Sequence, residues 1–258
     1  RIAGSIALAV CAACAPLGDA VVAGERVYVV SQAGATLSAI EDGADKPAFS
    51  IALDKAPAAI ALAPDGALAY VTHPDLGKVS VVDLRERTVM RSLSVAGSPF
   101  GIAAAKDGRL FIGDWNGAHV SVIGPDGDTT EKTVEVGRAP AHLLLSPDET
   151  LLFVANRESD SVNVIRAADL SVAATIPVGR APFAMALSPD AARLYVGHVQ
   201  GGSVSVLDTE KLAAIETVPS GAMPYGAAVT PDGSRILITN QQASTVSQQQ
   251  RVPFEDVY

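Results

Sequence analysis

The 258-residue chain carries a formal charge of −9 and a sequence pI near 4.9. This argues against nucleic acid as a partner, because such binding rests on Lys and Arg neutralising phosphates. Hydrophobic residues make up 48% but aromatic residues only 5%, so the apolar content lies in Ala, Val, Leu and Ile, which suits many short, closely packed strands.

In chain order the first element is a leader of the signal or lipoprotein type over residues 1–20. Arg1 precedes an uncharged run at 2–10 and the small residues Cys11-Ala12-Ala13-Cys14-Ala15, which are the parts of a secretory signal. The run is too short to span a bilayer, so no membrane span is expected. Cys11-Ala12-Ala13-Cys14 also resembles a lipobox, which would put a lipid anchor at Cys14. The competing reading is a hydrophobic first strand. Whichever holds, 16–22 can supply the inner strand of the blade formed by 24–53. Export implies a periplasmic or extracellular location. Both cysteines lie in the leader, so a mature domain over 21–258 would hold no disulfide, thiolate metal site or catalytic cysteine.

The rest of the chain repeats. Pro64-Asp65-Gly66, Lys106-Asp107-Gly108, Pro147-Asp148-Glu149, Pro189-Asp190-Ala191 and Pro231-Asp232-Gly233 are spaced by 42, 41, 42 and 42 residues. A proline stands eight residues before each of these Asp residues: Pro57, Pro99, Pro140, Pro182 and Pro224. Each unit reads as four strands. An apolar run of small residues leads to the turn, where Pro presets φ and Gly accepts a positive φ. A second strand comes next, then an alternating third such as Val204-Ser205-Val206, whose period of two marks one buried face. A fourth strand leads through Gly-x-x-Pro into the next unit. A lone four-stranded sheet cannot bury both faces, whereas radial stacking can. The expectation is an all-β propeller of four-stranded antiparallel blades, with six blades fitting best and a truncated seven-bladed ring as the alternative. Residues 252–258 would serve as an irregular last strand.

Ala69-Tyr70-Val71-Thr72-His73, Leu152-Phe153-Val154-Ala155-Asn156, Leu194-Tyr195-Val196-Gly197 and Ile238-Thr239-Asn240 resemble the YVTN β-propeller repeat, named for Tyr-Val-Thr-Asn at the end of its second strand. Val204-Ser205-Val206-Leu207-Asp208 and Leu187-Ser188-Pro189-Asp190 match its other parts. The resemblance covers about 24–247 and implies a bacterial periplasmic propeller. Its relatives include lactonases and the large subunits of amine dehydrogenases.

In such a meander the second-to-third loops and the blade crossings share one face, and loops on a rigid scaffold carry function. Eight residues after each turn Asp stand His73, Trp115, Asn156, His198 and Asn240. The repeat has Asn there, so His73, Trp115 and His198 depart from it. Ten residues before the Asp, Lys55, Arg138 and Arg180 share a crossing position, and His142 opens an inner strand where other units carry Gly or Ala. Together they outline a cationic, partly aromatic axial mouth for a small anionic or polar ligand, with Arg and Lys pairing carboxylate or phosphate oxygens. His73, His142 and His198 make a divalent metal the alternative, although loop histidines are more often solvated; no metal site or cofactor is assigned. For the Asn residues a turn role comes first. The turn Asp residues, Asp83 and Asp208 read as structural, while Asp114 and Asp160 are the candidates for a base if the site is hydrolytic.

No Gly-x-Ser-x-Gly, phosphate loop, His-Glu-x-x-His or dinucleotide fingerprint occurs, so the catalytic residues stay unknown. The leading expectation is an exported, non-enzymatic scaffold that binds a small ligand or a protein partner. The alternatives are a lactonase-type hydrolase working at the mouth and a propeller subunit of a periplasmic redox complex.

Overall fold

The Pro-Asp turns set the frame. In the computed structural model, which describes residues 20–23, 26–125, 130–242 and 245–250, each turn carboxylate accepts the backbone N–H two residues on. Ala67 donates to Asp65, Arg109 to Asp107, Thr150 to Asp148, Ala192 to Asp190 and Ser234 to Asp232. Such Asx turns fold the chain back at one place in every unit. The bonds also favour the ionised carboxylate: the Thr230 hydroxyl, with Ser234, draws Asp232 down to about 2.

The strands between these turns form six antiparallel meanders among the described residues. The first holds β1 (Ala20–Ala23), β2 (Arg26–Ser31), β3 (Thr36–Glu41) and β4 (Phe49–Ala52). The second holds β5 (Ile60–Leu62), β6 (Leu68–His73), β7 (Lys78–Asp83) and β8 (Thr88–Ser94). The third holds β9 (Pro99–Ala104), β10 (Leu110–Asp114), β11 (His119–Ile123) and β12 (Thr130–Glu135). The fourth holds β13 (Pro140–Leu145), β14 (Leu151–Asn156), β15 (Ser161–Arg166) and β16 (Val172–Pro177). The fifth holds β17 (Pro182–Leu187), β18 (Arg193–His198), β19 (Ser203–Asp208) and β20 (Ala213–Pro219). The sixth has three described strands: β21 (Pro224–Val229), β22 (Arg235–Asn240) and β23 (Thr245–Gln250).

The protein is thus an all-β propeller of radially stacked blades. Inner strands pack in the order β1, β5, β9, β13, β17, β21. Among the described residues β21 and β1 form no comparably packed pair. The core lies in layers between neighbouring sheets. Phe111, Val120 and Val122 of the third blade meet Leu143, Leu152 and Val154 of the fourth. Phe153, Val162 and Val164 on the other face of that fourth blade meet Met185, Leu194 and Val196 of the fifth. Middle strands are therefore buried on both faces, as along β15 from Ser161 to Ile165. Outer strands bury at most one side chain each, such as Leu93, Val134 and Ile176, and Glu131, Lys132 and Glu135 keep charge on the β12 edge.

β1 pairs with β2 from Ala20↔Val29 to Ala23↔Arg26 and supplies the inner strand of the first blade. The leader expected over 1–20 falls almost wholly outside the described residues, as does the last strand expected at 252–258. Among the described residues no helix is long and apolar enough to cross a membrane.

Candidate functional site

In the second to sixth blades the residue that ends the second strand is buried. His73, Asn156 and His198 are 0% exposed, Asn240 2% and Asp114 8%. Each side chain turns under the crossing from the preceding blade. His73 Nδ1–H donates to the Lys55 carbonyl at 3.0 Å and its Nε2 accepts from Ser80 Oγ at 2.9 Å. His198 holds the same tautomer: Nε2 accepts the Gly179 N–H at 3.2 Å, so Nδ1–H donates to Ser203 Oγ at 2.9 Å. Asn156 Nδ2 donates to Asn163 Oδ1, which also accepts the Gly137 N–H. The crossing glycines are required by this packing. A Cβ on Gly137 would lie 2.7 Å from Asn156 Cβ, one on Gly179 2.6 Å from His198 Cε1, and one on Gly221 2.5 Å from Asn240 Cγ. The Asp114 carboxylate closes off Gly97 in the same way. Burial lowers the His73 pKa and takes His198 down to about 4. Both rings are neutral parts of a lock between blades, with their nitrogens engaged.

Trp115 does not share that position. Pro99 faces Asp114 across the sheet where Pro140 faces Asn156, Pro182 faces His198 and Pro224 faces Asn240. The third unit has a shorter hairpin: Ala105 N–H bonds the Arg109 carbonyl, whereas Ser146 reaches Leu151 and Ser188 reaches Arg193. The count of eight residues therefore overshoots by one in the 41-residue unit. Trp115 is instead equivalent to Arg157, Val199 and Gln241. Its N–H bonds the Ser98 carbonyl just as theirs bond Ala139, Ala181 and Met223.

At the crossings Lys55, Arg138 and Arg180 are exposed. The Arg138 guanidinium donates to the Glu158 carbonyl at 3.0 Å, and that of Arg180 to Gln200 Oε1 at 3.3 Å. Each ties its crossing to the second-to-third loop of the blade that follows. Asp160, weighed as a base, accepts the Ala181 N–H at 2.8 Å; Asp114 accepts the Ser98 and Asn116 N–H groups and stands 3.7 Å from His119. Both carboxylates hold loop backbone.

The axis itself is occupied by rings. Phe100, Phe183 and Tyr225 each come directly after a crossing proline, and the start of each of these inner strands carries a bulge or register shift, a device that re-aims a side chain. Phe100 lies 4.5 Å from Trp115 and 6.0 Å from Phe183, and Phe183 lies 4.6 Å from Tyr225 and 6.4 Å from Trp115, between ring centroids. Phe100 and Phe183 belong to the third and fifth blades, so they meet across the small Ala141 of the fourth. All four rings are half-buried. The Arg157 guanidinium lies 5.5 Å over Trp115, a cation–π placement. Its Nε is buried and has no hydrogen-bond partner among the described residues. His142, on the strand between those of Phe100 and Phe183, accepts the Met185 N–H on Nδ1 at 3.0 Å. Burial takes it down to about 4, so it is neutral at pH 7 with its proton on Nε2, a donor rather than a base.

The family model "Lactonase, 7-bladed beta-propeller" matches residues 26–210, well over half of the chain. The chain belongs to this family. Its described residues form six of the family's sheets. Among solved structures, the lactonase-family chain is similar to hydrazine synthase from Kuenenia stuttgartiensis, with 18% identity over 89% of this chain and 93% of that one, at a TM-score of 0.62. It is also similar to a functionally unknown protein from Desulfotomaculum acetoxidans DSM 771, with 17% identity over 88% and 79%, at a TM-score of 0.72. At these identities the likeness is one of fold. No curated protein matches the chain.

In this lactonase-family propeller Trp115 lies against the rings of Phe100 and Phe183, His142 lies on an inner strand bonded to the next blade, Lys55, Arg138 and Arg180 are exposed at the crossings, and His73, Asn156, His198 and Asn240 are buried at the ends of second strands. Among the described residues no three His, Cys, Asp or Glu side chains converge as a metal site would require. Sequence reasoning missed Phe100, Phe183, Tyr225 and Arg157. The first three carry a signal, since each stands directly after a repeat proline; Arg157 was hidden by the one-residue offset at Trp115.

Proposed function

We propose that the protein is an exported small-molecule-binding propeller whose ligand sits at the axial mouth. The observation that supports this is the set of four half-buried aromatic rings meeting across the axis with Arg157 beside them. Rings of this size at a purely structural axis would be closed over, whereas these stay partly open on the face that carries the variable loops. The leader-like residues 1–20 support export, and cell fractionation of the full-length chain tests it. A melting-temperature screen against sugar acids, aromatic acids, lactones and phosphorylated compounds tests the binding reading, because a ligand of the folded state raises the melting point by mass action. A stabilising compound should lose its effect on Phe183→Ala. If every compound leaves the wild-type melting point unchanged, or if Phe183→Ala responds like wild type, the mouth is not the site.

Family membership favours a second reading, hydrolysis of a lactone at the same mouth. Here His142 Nε2–H would donate to the carbonyl oxygen as charge develops on it, with Arg157 pairing a carboxylate of the substrate. Among the described residues no side chain of the mouth has the free lone pair of a general base, so water activation would have to come from elsewhere. Turnover of a lactone panel, with and without added divalent metals, separates the readings: hydrolysis abolished by His142→Phe, with ligand binding retained, supports catalysis. Binding without turnover of any lactone discards it.

A further inference from the structure

We infer that the mouth selects aromatic carboxylates: a flat unsaturated body received among Phe100, Trp115, Phe183 and Tyr225, and an anionic group paired with Arg157. This deepens the axial-mouth reading and rests on it. Three observations carry the choice of class. The first concerns shape. The rings contact one another in tilted and edge-on arrangements, with interplanar angles of 33°, 74°, 74° and 51°. That leaves ring faces and edges at several orientations, and a π-bearing guest gains offset-stacked or T-shaped contacts from them that a saturated ring of equal size does not.

The second concerns charge. Arg138 and Arg180 already donate to Glu158 and Gln200, whereas no carboxylate or carbonyl among the described residues accepts from the Arg157 side chain, and its Nε is buried without a partner. A buried donor left unpaired is costly, and a carboxylate is the planar two-oxygen acceptor that fits the guanidinium fork.

The third concerns placement. Trp115 and Arg157 hold the same repeat position in adjacent blades, each anchored through its backbone N–H to the crossing residue before a proline, Ser98 and Ala139. The stacking surface and the charge are therefore fixed at one blade spacing, 5.5 Å from guanidinium to ring, before any ligand arrives.

Trp115 is the chain's only tryptophan, so intrinsic emission excited at the red edge reports on this mouth alone. The test titrates the protein with phenylacetate, its neutral amide phenylacetamide, its saturated counterpart cyclohexylacetate, and gluconate, none of which absorbs at that wavelength. Phenylacetate is expected to produce a saturable change in Trp115 emission and a rise in melting temperature. The amide and the cyclohexyl acid should bind at least tenfold more weakly. Arg157→Gln should remove the preference for phenylacetate over its amide, and Arg157→Lys should restore part of it. Tyr225→Leu, away from the charge, should weaken phenylacetate and leave that preference intact. Equal binding of phenylacetate and cyclohexylacetate, an unaltered acid-to-amide ratio in Arg157→Gln, or no emission change with phenylacetate overturns the aromatic-carboxylate class. Saturable binding of gluconate with a change in Trp115 emission overturns the class while leaving the axial mouth in place. A raised melting point with no response from Trp115 overturns both.

Discussion

Replacing Gly179 by Ala tests the lock between blades most directly. The backbone there needs no left-handed conformation, so the cost is steric: the new Cβ would stand 2.6 Å from His198 Cε1, and the ring it meets is 0% exposed. Overpacking of this kind costs about 1–3 kcal/mol. Pushing the ring away also breaks the Gly179 N–H bond to Nε2, worth about 1 kcal/mol. The reduced freedom of the unfolded chain returns about 0.4–1 kcal/mol. The net destabilisation is about 1–3.5 kcal/mol, or a drop of roughly 2–14 °C in the melting point of a domain this size. Urea unfolding of the four members of a cycle, wild type, Gly179→Ala, His198→Ala and the double variant, isolates the cause. His198→Ala empties the space the methyl would enter, so the glycine substitution should become nearly neutral in that background, a coupling of about 2 kcal/mol between touching residues. Equal costs of Gly179→Ala in both backgrounds, or a cost below about 0.5 kcal/mol in wild type, would refute the seating of ring on glycine.

Acid should loosen the fold before the turn carboxylates titrate. His198, lowered by burial from 6.5 to about 4, is neutral when folded and takes up its proton first in the unfolded chain. Its contribution is present above pH 6.5 and lost as pH falls towards 4, about 2 kcal/mol by pH 5. His198→Asn, which copies the residue found at Asn156 and Asn240, should flatten the pH dependence of urea midpoints over that window; an unchanged slope would count against the buried neutral ring. Phe183→Ala should shift Trp115 emission to the red and cost about 1–2 kcal/mol for a half-buried ring, and an unmoved spectrum would mean the rings do not meet. Arg138→Gln and Arg180→Gln should each change stability by less than about 0.5 kcal/mol, since both side chains are exposed and their bonds to Glu158 and Gln200 in the neighbouring loop lie at the surface; a larger loss in thermal melts would show that these bonds hold the crossings.

The fold was legible because its determinants are local and repeated. Asp65, Asp107, Asp148, Asp190 and Asp232 each make the same bond to the backbone two residues on, so the turns announce themselves in the sequence. The candidate site was legible only in part, because an axial mouth is assembled from residues about a repeat apart. Its alignment also depended on which punctuation was counted. Counting from the turn Asp brought Trp115 into line with His73 and His198, because the short hairpin at Ala105–Arg109 is silent in composition. Counting from the prolines instead would have aligned Ala58, Phe100, Ala141, Phe183 and Tyr225, a position where buried alanines alternate with half-buried rings.

That contrast separates scaffold from function more sharply than residue type does. A histidine looks chemical in a sequence, yet His73 and His198 stand in for the asparagine of other blades and serve the same end, closing a crossing against a buried strand terminus. Their substitution within the repeat shows that the lock asks only for a polar group of suitable reach. In the third to sixth blades the position one residue later is held through its backbone N–H, and it varies from Trp115 through Arg157 and Val199 to Gln241, while the second blade carries Pro74 there. A repeat can specialise only where the backbone alone meets the structural need and the side chain is left to the axis. In this propeller the two such positions are the one after the lock and the one after the crossing proline, and they bring Trp115, Arg157 and the three axial rings together.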